Sequence, residues 1–421
     1  MFTIFYKILW AIATAMILLS SIYFTRLLKY GQLNLKKLFG SLRNSSNHHV
    51  GLTPKDTLML TLAGRIGVGS IAGIALAIYI GGAGSIFWVW ITTFLIAILS
   101  YVETYLGILY REKDDSGNYI GGPSYYIKNG LHNKKVACCY AVLIIICFIG
   151  GFLGIQSNTI TRCFIEVLPL SKYLIAFLLV IITFLCIFSG VNSISRITSK
   201  LVPFMTLLYL FLFVYVLCVN YTQIFNVLCN ILNDAFRFDS FLGGFLSTCI
   251  IGLQRGIFSN EAGRIASSTT NVQNASKQGY LQMVGVYITS LFICTATAFF
   301  ILTTDYFTVS FTDINGIELM QYAFSFHFGN VGNIFLVAFI LLFAFSTILT
   351  GYYYGESSLR FLMSKRCSWA IFLLKCITVV ILFLGCIVSA SLLWKIIDLL
   401  VAILAIINIY ALYSLRKNIS I

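Results

Sequence analysis

Residues 63–90 read AGRIGVGSIAGIALAIYIGGAGSIFWVW, a membrane-length apolar segment interrupted by Gly64, Gly67, Gly69 and Gly73. Inside a bilayer, a backbone N–H or C=O released from a helix costs several kcal/mol unless it finds another partner. A bound ion or small polar molecule is a suitable partner for such an interruption. The competing reading is that the glycines only let a second helix approach, because small residues four apart are also a packing motif of membrane helices. Glycines alone do not separate the two.

Composition sets the class around this segment. The chain has 421 residues, is 59% hydrophobic and 10% charged, and its mean hydropathy is +0.93, far from soluble norms. Apolar runs long enough to cross the hydrocarbon core fall at about 4–25, 56–80, 84–110, 136–158, 172–190, 201–220, 243–264, 280–302, 331–357, 367–390 and 392–414. The expectation is an all-α polytopic membrane protein with about eleven spans. The first run has only Lys7 before it and leads into Tyr23-Phe24-Thr25-Arg26 rather than a small-residue cleavage site, so it reads as a retained helix.

The net charge of +14 would suit a nucleic acid or an acidic surface, but its distribution speaks for topology and against a nucleic-acid partner. With the N-terminus outside, twenty of the 28 Lys and Arg residues fall in inward loops and the tail, six of them in 26–55. Five fall outside, and Arg65, Arg255 and Lys375 lie within spans. That bias fits the positive-inside rule for an inner, cell-membrane protein with its C-terminus in the cytoplasm. The 303–330 loop, with Asp305, Asp313 and Glu318 and no Lys or Arg, suits the outer side.

The twelve cysteines lie mostly in apolar spans and form no CxxC or zinc pattern, and the four histidines are not at ligand spacing. No convergent Ser, His or carboxylate set sits at membrane depth, so an enzyme or an organic cofactor is not expected. A channel would show a polar stripe or filter, and none is visible. The sequence carries no signal for an oligomeric state.

Of the ten spans after the first, two are interrupted alike: 56–80, and 243–264 with its GLQRGIFSNEAG (Gly252 to Gly263). A repeat of five helices forces the second copy to be inverted, and paired broken helices in corresponding positions point to the midplane site of a secondary transporter. The expected organisation is an N-terminal helix and basic loop (1–50), a first five-helix repeat (51–220), and a second repeat with the tail (221–421).

GGAGSIFWVW (Gly81 to Trp90), YREKDDSGNYIGGPSYYI (Tyr110 to Ile127), RGIFSNEAG (Arg255 to Gly263) and FAFSTIL…YYGE (Phe343 to Glu356) together resemble the alanine/glycine:cation symporter family over about residues 50–410. The resemblance implies the five-plus-five inverted repeat of the leucine-transporter superfamily, with one extra helix in front. It also implies alternating-access import of small neutral amino acids, alanine, glycine or similar, driven by Na+. Proton coupling, no coupling, or a non-transporting sensor on the same fold are the alternatives.

Near the first break, freed N–H groups of Val68, Gly69 and Ser70 can donate to a substrate carboxylate at the positive end of the following helix, and freed carbonyls suit a hard cation. By resemblance, the carbonyls of Ala63 and Ile66 face that cation, with the Phe343 carbonyl and the Ser346 and Thr347 hydroxyls completing five neutral oxygens. Read alone, Ser346 and Thr347 are expected to back-bond their own helix, and the resemblance is what points to the cation. Gln156, in GIQSN with Asn158, is placed beside the substrate by resemblance, with capping of backbone as the plain alternative. Ile251 and Gly252 are expected to give unwound backbone and a small pocket.

At the first break the chain has AGRIGVGSIAGIA where the family reads like AGTVGTGNIAGVA, so Arg65, Val68 and Ser70 replace Thr, Thr and Asn. The last span keeps Trp394 and Asp398 without the family's NGL continuation. A charge at membrane depth must be compensated. For Arg65 the two readings are a structural tie to a carboxylate such as Glu103 or Glu261, and a cation beside the substrate. For Arg255 and Glu261 the structural reading is favoured.

Overall fold

The helix that enters the interrupted segment begins with a reciprocal cap. The Thr53 hydroxyl accepts from the Asp56 N–H at 3.1 Å, an Asp56 carboxylate oxygen accepts from the Thr53 N–H at 3.4 Å, and Pro54 occupies the first helical position. In the computed structural model, which describes residues 2–42, 53–113, 119–237, 246–259, 274–305, 316–363 and 368–419, this helix is one of eighteen. Before it lie α1 (Phe2–Leu27) and α2 (Leu35–Leu42). It is α3 (Pro54–Arg65), and α4 (Val68–Gly81) and α5 (Ser85–Leu109) follow. Two short antiparallel strands, β1 (Glu112–Lys113) and β2 (Tyr119–Ile120), lead to α6 (Pro123–Gly130), α7 (Lys134–Ile145) and α8 (Leu153–Val167). The remainder are α9 (Lys172–Phe188), α10 (Val191–Val219), α11 (Ile224–Ala235), α12 (Leu246–Ser259), α13 (Ala275–Tyr287), α14 (Thr295–Leu302), α15 (Ile317–Phe328), α16 (Gly332–Met363), α17 (Ser368–Gly385) and α18 (Ala390–Ser414).

Among the described residues, nine helical stretches are long and apolar enough to cross a membrane. A helix lies at each of the eleven expected positions; α9, with 17 residues, and α12, with 14 described, are the shorter ones. Two spans carry wide turns that the sequence pattern does not betray. A π-helical segment, Ile146–Phe152, joins α7 to α8, and another, Ile288–Cys294, joins α13 to α14.

Two groups of helices face each other across the break. On one side α5 packs along α12 and α13; on the other α16 packs along α7 and α8, with α17 behind α8. Small residues allow the close crossings: a methyl on Gly385 would sit 2.7 Å from the Gly154 backbone, and one on Gly351 would sit 2.6 Å from Leu153. The α1 helix lies outside against α18 and α5, burying Trp10, Ala13, Ile17 and Phe24. Large apolar side chains stand exposed on the outside of these helices, as with Phe204, Leu207 and Phe211 on α10.

The second interruption differs from expectation. The chain is helical through Ile251, Gly252 and on to Ser259, within α12, and only the end of the motif, residues 260–263 with Glu261, lies outside the described residues. Gly252 serves packing: a Cβ there would lie 2.4 Å from the Ser85 carbonyl oxygen and 2.6 Å from the Trp88 Cβ. Ile251 fills the space over Gly81. For these two positions the close-approach reading of glycine wins, and α12 is pressed onto α4 and α5.

Candidate substrate and cation site

The first interruption is where the sequence puts it. The last turn of α3 closes with the Ile66 N–H donating to the Leu62 carbonyl at 2.7 Å. Ile66 (φ −89°, ψ 78°) and Gly67 (φ −126°, ψ −159°) then leave helical geometry before α4 starts at Val68. Three side chains meet the freed backbone. The Val68 N–H donates to Gln156 Oε1 at 3.1 Å, the Ser70 hydroxyl donates to the Arg65 carbonyl at 3.0 Å, and the Thr347 hydroxyl reaches the Ala63 carbonyl at 2.8 Å. Thr297 of α14 adds a donor 3.0 Å from the Ser70 carbonyl, backed by Tyr209 at 2.8 Å.

Four of the five cation candidates converge. Thr347 Oγ1 lies 2.8 Å from the Ala63 carbonyl and 2.9 Å from the Phe343 carbonyl, and Ser346 Oγ lies 2.9 Å from that same Phe343 oxygen. Ser346 and Thr347 do back-bond α16, but Thr347 also crosses to α3, which back-bonding does not require. Two carbonyls and two hydroxyls thus bring four neutral oxygens together. A monovalent cation there would take the carbonyls directly while the hydroxyl protons turn away. Ile66 sits at the break, fully buried. Gly67 lets α16 close onto it: a methyl at that position would stand 2.4 Å from Thr347 Oγ1.

The substrate candidates divide. Val68 and Gln156 are joined at the break, and Gly69 beside them is only partly buried, but the Ser70 N–H expected to be free instead donates to the Gly67 carbonyl at 3.0 Å in the first turn of α4. Ile251 and Gly252 belong to the α4–α5–α12 packing described above. Asn158 takes its plain alternative, donating to the Gly385 and Val388 carbonyls at 2.9 and 2.6 Å and so capping the end of α17.

Buried Arg65 turns to α13 and α5, with Nη1 donating to the Gln282 carbonyl at 3.1 Å and Nη2 to the Ser100 hydroxyl at 3.0 Å. Glu103, one turn beyond Ser100, accepts from the Asn408 amide, and Asn408 accepts from Tyr126. Arg255 pairs with Asp398 of α18 at 3.6 Å, lies 4.9 Å from the Trp394 ring, and shares that carboxylate with Tyr6 of α1 at 3.1 Å. Sequence reading missed Gln282, Ser100 and Thr297. A polar residue in an apolar helix looks alike whether it serves a distant break or its own i−4 carbonyl, and Thr297 does both.

Ser124, Tyr125, Phe148, Tyr354, Ser358 and Phe361 line a cleft. Of these, Tyr354 meets the Phe148 ring edge-on at 4.8 Å and places its hydroxyl in the space beside Gly64.

A helix discontinuous within a membrane-length span, with oxygens from two helices gathered at its break, is an arrangement of multi-pass secondary transporters. The model of the sodium:alanine symporter family matches residues 1–420, and the chain belongs to that family. It is 36% identical over 97% of its length to 87% of a protein of Bacillus subtilis described as a probable sodium/glutamine symporter. It is 31% identical over 86% of its length to 81% of a sodium/alanine symporter of Methanococcus maripaludis. In fold it is similar to a Na+-coupled sialic acid symporter in a substrate-bound outward-open state, with TM-score 0.55 at 12% identity, covering 95% of this chain and 81% of that one. A manganese transporter of Eremococcus coleocola matches equally, with TM-score 0.55 at 12% identity over 89% and 79%.

Proposed function

We propose that the protein imports small neutral amino acids, alanine or glycine, by Na+ symport. The observation that carries this is the convergence of the Ala63 and Phe343 carbonyls with the Ser346 and Thr347 hydroxyls at a helix break. Neutral oxygens hold a monovalent ion weakly enough to release it. The substrate carboxylate then takes the N–H groups of Val68, Gly69 and Ser70, with Gln156 giving up the Val68 N–H and turning its amide to the substrate, and with the Ser70 N–H leaving the Gly67 carbonyl. Residues 51–220 and 221–421 form the two repeats, with the N-terminus outside and the C-terminus in the cytoplasm, so the cleft lined by Tyr354 opens inward. Arg65 acts as a tie among helices.

Glutamine is the second reading. It is favoured by the 36% identical probable sodium/glutamine symporter, and Gly252, being needed for packing, no longer argues for a narrow pocket. Uptake of labelled alanine, glycine and glutamine into proteoliposomes, with and without an inward Na+ gradient, tests both. Uptake of alanine and glycine only with the gradient supports the first reading; uptake indifferent to Na+ refutes the coupling.

A further inference from the structure

We infer that α2 and the turn before it form a docking surface for the anionic phospholipid headgroups of the inner leaflet, and that this surface acts on the break through α13. The inference rests on the transport reading and orientation above. Helix α2 is LKKLFGSL. It buries Leu38 and Ser41 and leaves Leu35, Phe39 and Leu42 exposed by 63, 66 and 46%. At helical spacing these three form one stripe, next to the buried face, while Lys36 and Lys37 are exposed outside it. Residues 28–34 alone separate α2 from the membrane-length α1, which places that stripe at headgroup depth.

Charge selects the occupant. Residues 26–55 hold Arg26, Lys29, Lys36, Lys37, Arg43 and Lys55 and no acidic residue. An apolar stripe beside lysines matches an acidic bilayer surface, where hydrocarbon and phosphate lie side by side.

The turn shows that this position is held on purpose. Lys29 and Tyr30 adopt φ of 48° and 57°, a left-handed conformation that non-glycine residues rarely take. It is fixed by the Tyr30 N–H on the Thr25 carbonyl at 2.8 Å and by Gln32 Nε2 on the Thr25 hydroxyl at 2.7 Å. It is also tied to α13: the Tyr287 hydroxyl donates to the Gln32 carbonyl at 2.8 Å, Gly31 admits the Tyr280 hydroxyl, and Lys37 lies 5.6 Å from the Tyr280 ring. Between those tyrosines, Gln282 holds Arg65 through its carbonyl and accepts from the Thr61 hydroxyl at 2.9 Å. Headgroups that bind α2 in one arrangement of α13 better than in another therefore bias the helix that carries the break.

Each lysine near an anionic surface is worth roughly fivefold in partitioning. The full chain is placed in bilayers with and without phosphatidylglycerol, and both amide hydrogen exchange over residues 30–42 and initial uptake are followed. Phosphatidylglycerol should slow that exchange and raise uptake about threefold or more, both effects shrinking at high salt. Lys36→Gln/Lys37→Gln should abolish both responses, Lys36→Arg/Lys37→Arg should restore them, and Lys172→Gln, on the outer side, should leave them intact. Equal exchange in both bilayers, or a full response in the Gln variant, overturns the inference. Lipid-dependent exchange with no uptake in any bilayer counts against the transport reading and leaves the lipid surface standing.

Discussion

Gln156 Oε1 accepts the N–H of Val68 at 3.1 Å, so a side chain on α8 caps the first residue of a helix that begins inside the membrane. The bond ties α8 to the helix that follows the break. Under the proposed function Gln156 has two states, one on the backbone and one on the substrate.

Gln156→Glu separates those states. A carboxylate keeps an acceptor for Val68 but repels a substrate carboxylate, so uptake should fall at least tenfold at low substrate while the melting temperature stays close to that of the parent. Gln156→Ala should lose both, with about 1–3 kcal/mol of stability gone because a buried N–H is left without its acceptor. Uptake curves and thermal unfolding in detergent measure the two effects. Normal affinity in Gln156→Glu would reduce this residue to a cap.

Thr347→Val removes a hydroxyl and keeps the bulk that packs over Gly67. Together with Ser346→Ala it should raise the Na+ concentration for half-maximal uptake about tenfold, a loss of about 1.4 kcal/mol in cation binding by the ordinary conversion. Thr347→Ser alone should stay near the parent. Unchanged Na+ dependence in the double variant would remove the cation site from α16.

Gly67→Ala places a methyl 2.4 Å from Thr347 Oγ1. Overpacking of this kind costs about 1–3 kcal/mol, and here it forces α3 and α16 apart at the cation oxygens. Uptake should be lost. Adding Thr347→Gly should recover thermal stability but not Na+ dependence, because space returns and the hydroxyl does not.

Arg65 is committed to α5 and α13, neither of which supplies a residue to the proposed substrate set. Arg65→Thr should therefore lower the melting temperature by several degrees with little change in substrate affinity, since each hydrogen bond to a charged group contributes about 1.5–3 kcal/mol. Arg65→Lys should recover part of the stability, lacking the fork that reaches two partners. A stable Arg65→Thr protein with weakened affinity or altered Na+ stoichiometry would instead place the guanidinium at the substrate.

The Arg255–Asp398 pair, with side chains 10 and 11% exposed, should behave as a unit. Asp398→Asn or Arg255→Leu alone should cost about 3–5 kcal/mol by leaving one partner buried, and a double Arg255→Leu/Asp398→Leu should regain most of it. A thermal-unfolding cycle over the four proteins reads the coupling, and additive losses would show that the two charges do not depend on each other.

How much of this was legible in the chain follows from the solvent. Lipid gives unpaired backbone no partner, so closely spaced glycines in an apolar run make residues 64–73 a candidate break, and the same constraint marks the spans, while the departure from helix at Ile66 and Gly67 is seen only in the structure. Ser346 and Thr347 were singled out through resemblance alone, and only the structure shows Thr347 reaching across from α16 to the Ala63 carbonyl of α3. Glycine itself has two uses, and only contact with a neighbour separates them: Gly67 lies at a real interruption, whereas Gly252 sits in an intact helix pressed on Ser85. The partners of Arg65, Gln156 and Asn158 were likewise decided only in three dimensions. They lie on helices tens to hundreds of residues away, and a hydrogen bond depends on where two side chains end up, which no local periodicity encodes.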